Sequence, residues 1–156
     1  MPPISLADLI PRQISRQVAR RLPVDADALW KVVGDLGSSV PGGGMVERVE
    51  VEGRGAGAIR TFHFPGGGKV VERIEDYDAE ARRYVYRIID FGPLSMARYL
   101  GLAEVVLAGE GGSILSWSAM ADPVGTDAGA LAANIEANLT SAVEAVARHF
   151  EETPSR

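Results

Sequence analysis

From Met45 onward the chain alternates between short β-rich runs and clusters of glycine and proline, and one uninterrupted segment, Asp127 to Glu151, is long and apolar enough to cover what those runs expose. The breaks fall at Pro41 to Gly44, Gly53 to Gly57, Pro65 to Gly68, Gly92-Pro93 and Gly109 to Gly112, which is the punctuation of an antiparallel meander. Met45 to Glu52 reads M-V-E-R-V-E-V-E, with apolar and charged residues in alternation, so one face of that strand is wet and the other buried. Further strands are predicted at Gly57 to Phe64, Lys69 to Asp76, Arg83 to Asp90, Ala97 to Ala108 and Ser113 to Ala121. Ahead of them Ile14 to Leu22 supplies a first strand, and D-A-D-A-L-W-K-V-V from Asp25 opens two short helices with an acidic first turn.

In the last segment Thr126 or Asp127 can serve as N-cap, and neither Gly nor Pro interrupts it after Gly129. Leu131, Ile135, Ala142, Val146 and Phe150 fall on one stripe, with Glu136, Glu144 and Glu151 opposed to it. Asn138 lies about 20° from Leu131, which places an amide on that stripe, and Asn134 sits at its edge. An antiparallel sheet of seven strands has to bury its apolar face, and this helix is the element large enough to cover it. The expectation is an α+β domain in which a curved sheet grips a helix.

With 156 residues and 46% hydrophobic content the chain fits one domain over residues 14–152, with an extension at 1–13 and a tail at 153–156. Ile4, Leu6, Leu9 and Ile10 in the extension suit a short amphipathic turn that docks on the chain's own sheet or on a second protomer, as in a homodimer. A net charge of −5 argues against nucleic acid or an anionic membrane as main partner. Without a cysteine there is no thiolate chemistry, and His63 and His149 lack metal-ligand spacing, so neither a metal nor a cofactor is expected. The start of the chain lacks an export signal and no run approaches a membrane span, which points to a cytoplasmic protein. Two lysines against fourteen arginines hint at a bacterial, GC-rich source.

On the strand from Lys69, Glu72 alternates with Val70 and Ile74 on the inner face, while Arg73 and Glu75 point to solvent. Arg60 is in phase with Phe62 and Phe64, and a three-residue turn across the glycines sets it opposite Glu72; a change of one residue in that turn would send it to the other face. Such a pair serves either architecture or a ligand. Tyr86, in phase with Tyr84 and Ile88, also points inward. Trp30 and Trp117 read first as core fillers. No serine stands in a nucleophile elbow, so covalent catalysis has no support.

The run F-P-G-G-G-K from Phe64 to Lys69 does not meet the needs of a phosphate loop. Val70, Val71 and Glu72 follow the lysine on a strand, where a hydroxyl residue and a helix N-terminus are required. It is a hairpin tip. Three glycines there allow backbone conformations closed to other residues.

Four stretches, R-x-L-P-V-D-A-D-A-L-W-K-V-V, G-A-I-R-T, E-R-I-E-D-Y-D and S-W-S-A-M-A-D-P, come in an order and spacing that resembles the START-like (SRPBCC) helix-grip superfamily in its polyketide cyclase/dehydrase branch. The likeness runs from about Ile14 to Phe150 and extends in fold to the plant abscisic-acid receptors and the birch-pollen allergens. It implies a cavity between sheet and helix that holds a hydrophobic small molecule. The receptors' cavity carboxylate matches Glu72, their cavity tyrosine Tyr99 and a pocket asparagine Asn138, whereas Trp117 stands where they carry a second carboxylate. Pro65, Gly66, Gly67 and Gly68 align with their gate loop, and Pro93 and Leu94 would meet it from the other side.

The resemblance thus implies binding of a polyketide-like or cyclic compound; with the inward positions read from phase and spacing added to Glu72, Tyr99 and Asn138, the candidate contacts are Arg60, Phe62, Glu72, Tyr86, Tyr99, Trp117, Asn134 and Asn138. Cyclase or dehydrase chemistry would run through Glu72, Arg60 and Tyr99. A non-catalytic carrier or sensor stays open beside it. A lipid or quinone chaperone would want basic or apolar residues around the cavity mouth, which this acidic chain does not cluster.

Overall fold

A computed structural model describes Pro3 and residues 13–92, 97–123 and 127–152. Strand β1 (Ile14–Leu22) leads to helix α1 (Ala26–Val33) and a 3₁₀ turn (Val40–Gly42). Six strands follow: β2 (Arg48–Glu52), β3 (Ile59–His63), β4 (Lys69–Asp78), β5 (Arg83–Asp90), β6 (Ala97–Leu107) and β7 (Ser113–Asp122). Helix α2 (Ala128–Glu152) closes the fold. The sheet has seven strands in the order β1-β7-β6-β5-β4-β3-β2, every neighbouring pair antiparallel. This is the helix-grip arrangement: the apolar face of the sheet and the inner side of α2 share one core.

Two differences from expectation go beyond a residue or two at an element's end. The second short helix is a single 3₁₀ turn. The second strand starts at Arg48 because the amide of Met45 bonds back to the Gly42 carbonyl, so Met45 still belongs to the turn. Helix α1 is capped as its sequence predicts, with the Asp25 carboxylate accepting from the amides of Asp27 and Ala28. Of the two N-cap candidates for α2, Asp127 accepts from the Gly129 amide, and Thr126 lies outside the described residues.

The β3–β4 hairpin sets the register of the inner face. The Phe64 amide bonds the Gly68 carbonyl at 2.8 Å, leaving Pro65, Gly66 and Gly67 as a three-residue turn. Gly66 and Gly67 have φ of 94° and 95°, a region that side chains rarely adopt. His63 therefore pairs with Lys69, Phe62 with Val70 and Arg60 with Glu72.

On α2 the buried residues are Leu131, Ala132, Ile135, Leu139, Val143 and Ala145 to Ala147. At 100° per residue the centre of this stripe lies about 70° from Leu131, on the side away from Asn138. The asparagine expected on the stripe is consequently at its margin and exposed, and Asn134 is exposed too. The helix rests on β1, the 3₁₀ turn and β7. Among the described residues no helix is long and apolar enough to cross a membrane.

Candidate functional site

Between the concave sheet and α2 lies a cavity of about 200 Å³. Strand β3 gives it Arg60 and Phe62, with Phe64 just beyond; β4 gives Val70 and Glu72, β5 Tyr86 and Ile88, β6 Tyr99 and β7 Trp117. From above, α2 adds Asn138, Leu139 and Ala142, and the segment around the 3₁₀ turn adds Pro41, Gly42 and Val46. Alternation along each strand explains the set: the inward positions of five neighbouring strands converge on one hollow.

Its polar floor is an ion pair. The Arg60 guanidinium donates to Glu72 Oε1 from Nε at 3.0 Å and from Nη2 at 2.6 Å, and from Nη1 to the Tyr84 hydroxyl at 3.2 Å. Arg60 is 5% exposed and Glu72 7%, so the two charges are held almost out of water. The guanidinium carbon lies 4.9, 5.2 and 5.6 Å from the ring centres of Phe62, Tyr84 and Tyr86, which gives the buried cation three aromatic faces. Both strong donors land on one carboxylate oxygen. Among the described residues Glu72 Oε2 receives no hydrogen bond.

Electrostatics follow from this geometry. Burial pushes the Glu72 carboxyl above the usual carboxylate range, and Arg60 opposes that rise through its charge and its hydrogen bonds. Burial also works against the Arg60 charge, but Tyr84 and Glu72 more than offset it, so the guanidinium stays charged. Tyr99 is pushed up to about 12 by burial, and Tyr86 is raised well above its ordinary value, again by burial first. Both phenols therefore keep their protons at neutral pH.

The Tyr86 ring reaches from β5 across β6 to β7, where its hydroxyl accepts from Trp117 Nε1 at 2.9 Å. What lets it cross is Gly101, its partner on β6: a Cβ there would stand 2.0 Å from Tyr86 Cζ. Trp30, expected as a core filler, packs outside the cavity on Tyr77 and Tyr84 at 5.5 and 6.3 Å between ring centres.

Of the residues singled out from sequence, Arg60, Phe62, Glu72, Tyr86, Tyr99 and Trp117 meet around the hollow, with Asn138 at its margin. Asn134 does not line it. The glycine tip Pro65 to Gly68 caps the hairpin whose Phe64 does line it. Gly92 lies so close to this hairpin that a Cβ on it would be 1.9 Å from the Lys69 carbonyl oxygen. Pro93 and Leu94, the other half of the expected gate, lie outside the described residues. Tyr84 was missed as a partner of Arg60; its phase with Tyr86 signals the inward face but not the contact. Val46, Pro41 and Gly42 carried no signal, since a turn 18 residues before Arg60 has no periodicity that aims it. Among the described residues no group of three or more His, Asp or Glu side chains could hold a metal ion. His63 sits outside the hollow, with Nε2 3.4 Å from Glu50 Oε2.

Residues 13–151 match the profile of the family described as polyketide cyclase / dehydrase and lipid transport. The chain belongs to that family. Among solved structures it is similar to the protein XoxI from Bacillus cereus, with 19% identity and a TM-score of 0.81 over 92% of this chain and 99% of that one. It is also similar to norcoclaurine synthase from Thalictrum flavum in complex with dopamine and hydroxybenzaldehyde, with 20% identity and a TM-score of 0.74 over 100% and 96% of the two chains. For the Zhui aromatase/cyclase from Streptomyces sp. R1128 the figures are 17% and 0.76, over 90% and 95%. At such identities the likeness shows the fold alone. No curated protein matches the chain in sequence.

Proposed function

We propose that this family member binds a hydrophobic, cyclic or polyketide-like small molecule in the cavity between sheet and α2, and that Glu72, Arg60 and Tyr99 perform cyclase or dehydrase acid–base chemistry on it. The observation that carries this reading is the division of the Glu72 carboxylate: Oε1 is held by Arg60, while Oε2, on a residue that lines the cavity, is left for a ligand. A carboxylate raised by burial and held in place by a fixed cation is suited to moving a proton near neutral pH.

In the reaction that fits, Glu72 takes a proton from a carbon between two carbonyl groups of the substrate. The resulting enolate oxygen accepts a hydrogen bond from Tyr99, with Arg60 adding positive potential. The enolate carbon attacks a distant carbonyl carbon of the same molecule, a carbon–carbon bond closes the ring, and the alkoxide takes back the proton from Glu72. Removal of a second carbon-bound proton by Glu72, with loss of the hydroxyl as water, gives the unsaturated ring. No oxidant or reductant is consumed.

The test uses a linear nonanetetraone, whose cyclisation through a carbon between two carbonyl groups and dehydration yield an acetyl-dihydroxytoluene detectable by absorbance and proton NMR. The native chain should accelerate its formation, and Glu72→Gln should lower the rate by about 100-fold or more. Full turnover in both Glu72→Gln and Arg60→Ala rejects the acid–base assignment. Saturable binding without turnover in the native chain supports a carrier or sensor instead.

A further inference from the structure

The face of the sheet that points away from the cavity is not uniformly wet. On β2 and β4 its outward positions include Arg48, Glu50, Arg73 and Glu75, the polar set expected of a sheet face left to solvent. Across β5, β6 and β7 it changes character. Val85 pairs with Leu102, and two residues back along β6 Leu100 pairs with Met120. Their neighbours in sequence, Tyr86, Ala103, Tyr99 and Ala121, are buried on the inner side, so these four side chains point outward. Met120 is 45% exposed, as is Ile89 at 44% on β5.

A groove of about 270 Å³ opens in this face, lined by Leu100 and Met120 together with Arg87, Arg98, Asp122 and Gln13. Gln13 is the residue just before β1, so the chain that precedes it enters at the groove itself. That stretch, residues 4–12, reads I-S-L-A-D-L-I-P-R and lies outside the described residues; it carries four large apolar side chains, Ile4, Leu6, Leu9 and Ile10. Ile10 and Leu9 stand three and four residues from Gln13, within about 10–14 Å of extended chain, and the first and third of three neighbouring strands are about 10 Å apart. Both can therefore reach Leu100 and Met120. Arg98 holds Asp122 at 3.0 Å yet its side chain remains 77% exposed, which leaves it open to the segment's one carboxylate, Asp8.

We infer that residues 4–12 dock on the outer face of their own sheet, with Leu9 and Ile10 on Leu100 and Met120. Tethering decides the occupant. A segment joined at Gln13 meets the groove at a high effective concentration, whereas a second copy has to find it from solution. The groove lies on the opposite side of the sheet from the cavity, so docking does not depend on what the cavity holds.

The chain has no cysteine, so one introduced thiol reports the cover directly. In the full chain, Met120→Cys should react with dithionitrobenzoate about ten-fold more slowly than Leu107→Cys, whose position at the end of β6 is 67% exposed. The rate should not depend on protein concentration. Adding Leu9→Asp and Ile10→Asp to Met120→Cys should bring its rate to within about two-fold of Leu107→Cys. Circular dichroism and the thermal midpoint confirm that the variants fold. Equal rates at the two thiols in the chain without the aspartates, or slow labelling of Met120→Cys that Leu9→Asp and Ile10→Asp leave unchanged, overturns the docking. Slow labelling that is lost on dilution, with a dimeric mass in sedimentation equilibrium, assigns the face to a second copy and overturns it as well.

Discussion

At the scale of single residues, Arg60 and Glu72 dominate. Their partnership is architectural, because removing one leaves the other charge buried without a counterion. Glu72→Met alone should lower the unfolding free energy by about 3–5 kcal/mol, while the double variant Arg60→Met, Glu72→Met should recover most of that loss, as read from a double-mutant cycle in urea. Tyr99 gives a pH signature. Below pH 10 folded and unfolded chains both carry its proton; between 10 and about 12 the unfolded chain releases it and the folded chain does not, so stability falls as pH rises. The loss attributable to Tyr99 is about 3 kcal/mol over that window, and Tyr86 acts in the same direction. Tyr99→Phe should show a shallower decline in denaturant melts between pH 9 and 12 than the native chain. That Arg60 and Glu72 face one another was readable from alternation and a three-residue turn. Tyr84 as second partner of Arg60 was not, because a side chain's reach across a neighbouring strand depends on twist and rotamer.

At the scale of elements, the small residues and irregularities in β6 shape the cavity wall. Gly101 makes room for the Tyr86 ring, so Gly101→Ala should destabilise by about 1–3 kcal/mol through overpacking. By breaking the Tyr86–Trp117 hydrogen bond it should also shift the near-ultraviolet circular dichroism of Trp117. Two residues earlier the ladder with β7 slips between Ala97 and Tyr99, and Arg98 takes up the slip with φ of 47°, its guanidinium 3.0 Å from the Asp122 carboxylate. Such a bulge re-aims the residue next to it, here Tyr99, toward the interior. Nothing in A-R-Y-L-G-L-A-E-V-V-L announces it. A strand pattern of period two continues across the slip, since Tyr99, Gly101, Ala103 and Val105 remain in phase after it. The same limit applies to α2, where several apolar residues offered more than one stripe and the choice that buries Leu139 and Val143 moved Asn138 to the margin.

At the scale of the whole molecule, the fold leaves a hollow on one apolar sheet face by covering it incompletely. Helix α2 seals the β1–β7 end, while the Arg60 end, under the 3₁₀ turn, stays hollow. On the proposed function, a ligand that fills the hollow adds binding energy to folding energy, so at about 100 times its dissociation constant it should raise the thermal midpoint by about 5–10 °C in scanning fluorimetry. Alternation, glycine punctuation and one long helix were enough, by themselves, to indicate seven strands, an antiparallel meander and the inward faces of β3, β4 and β5, because those properties depend on local period and on which surfaces have to be buried, whereas the place of β1 beside β7 came from the tertiary structure. Local pattern also placed Glu72 opposite Arg60, given the turn. Only the tertiary structure decided how α2 is rotated, where the hollow remains, that Tyr86 spans Gly101 to reach Trp117, and that both Arg60 donors land on one oxygen of Glu72. Those are matters of side-chain packing between elements distant in sequence, where an ångström or a few tens of degrees decides the outcome and no period in the chain records it.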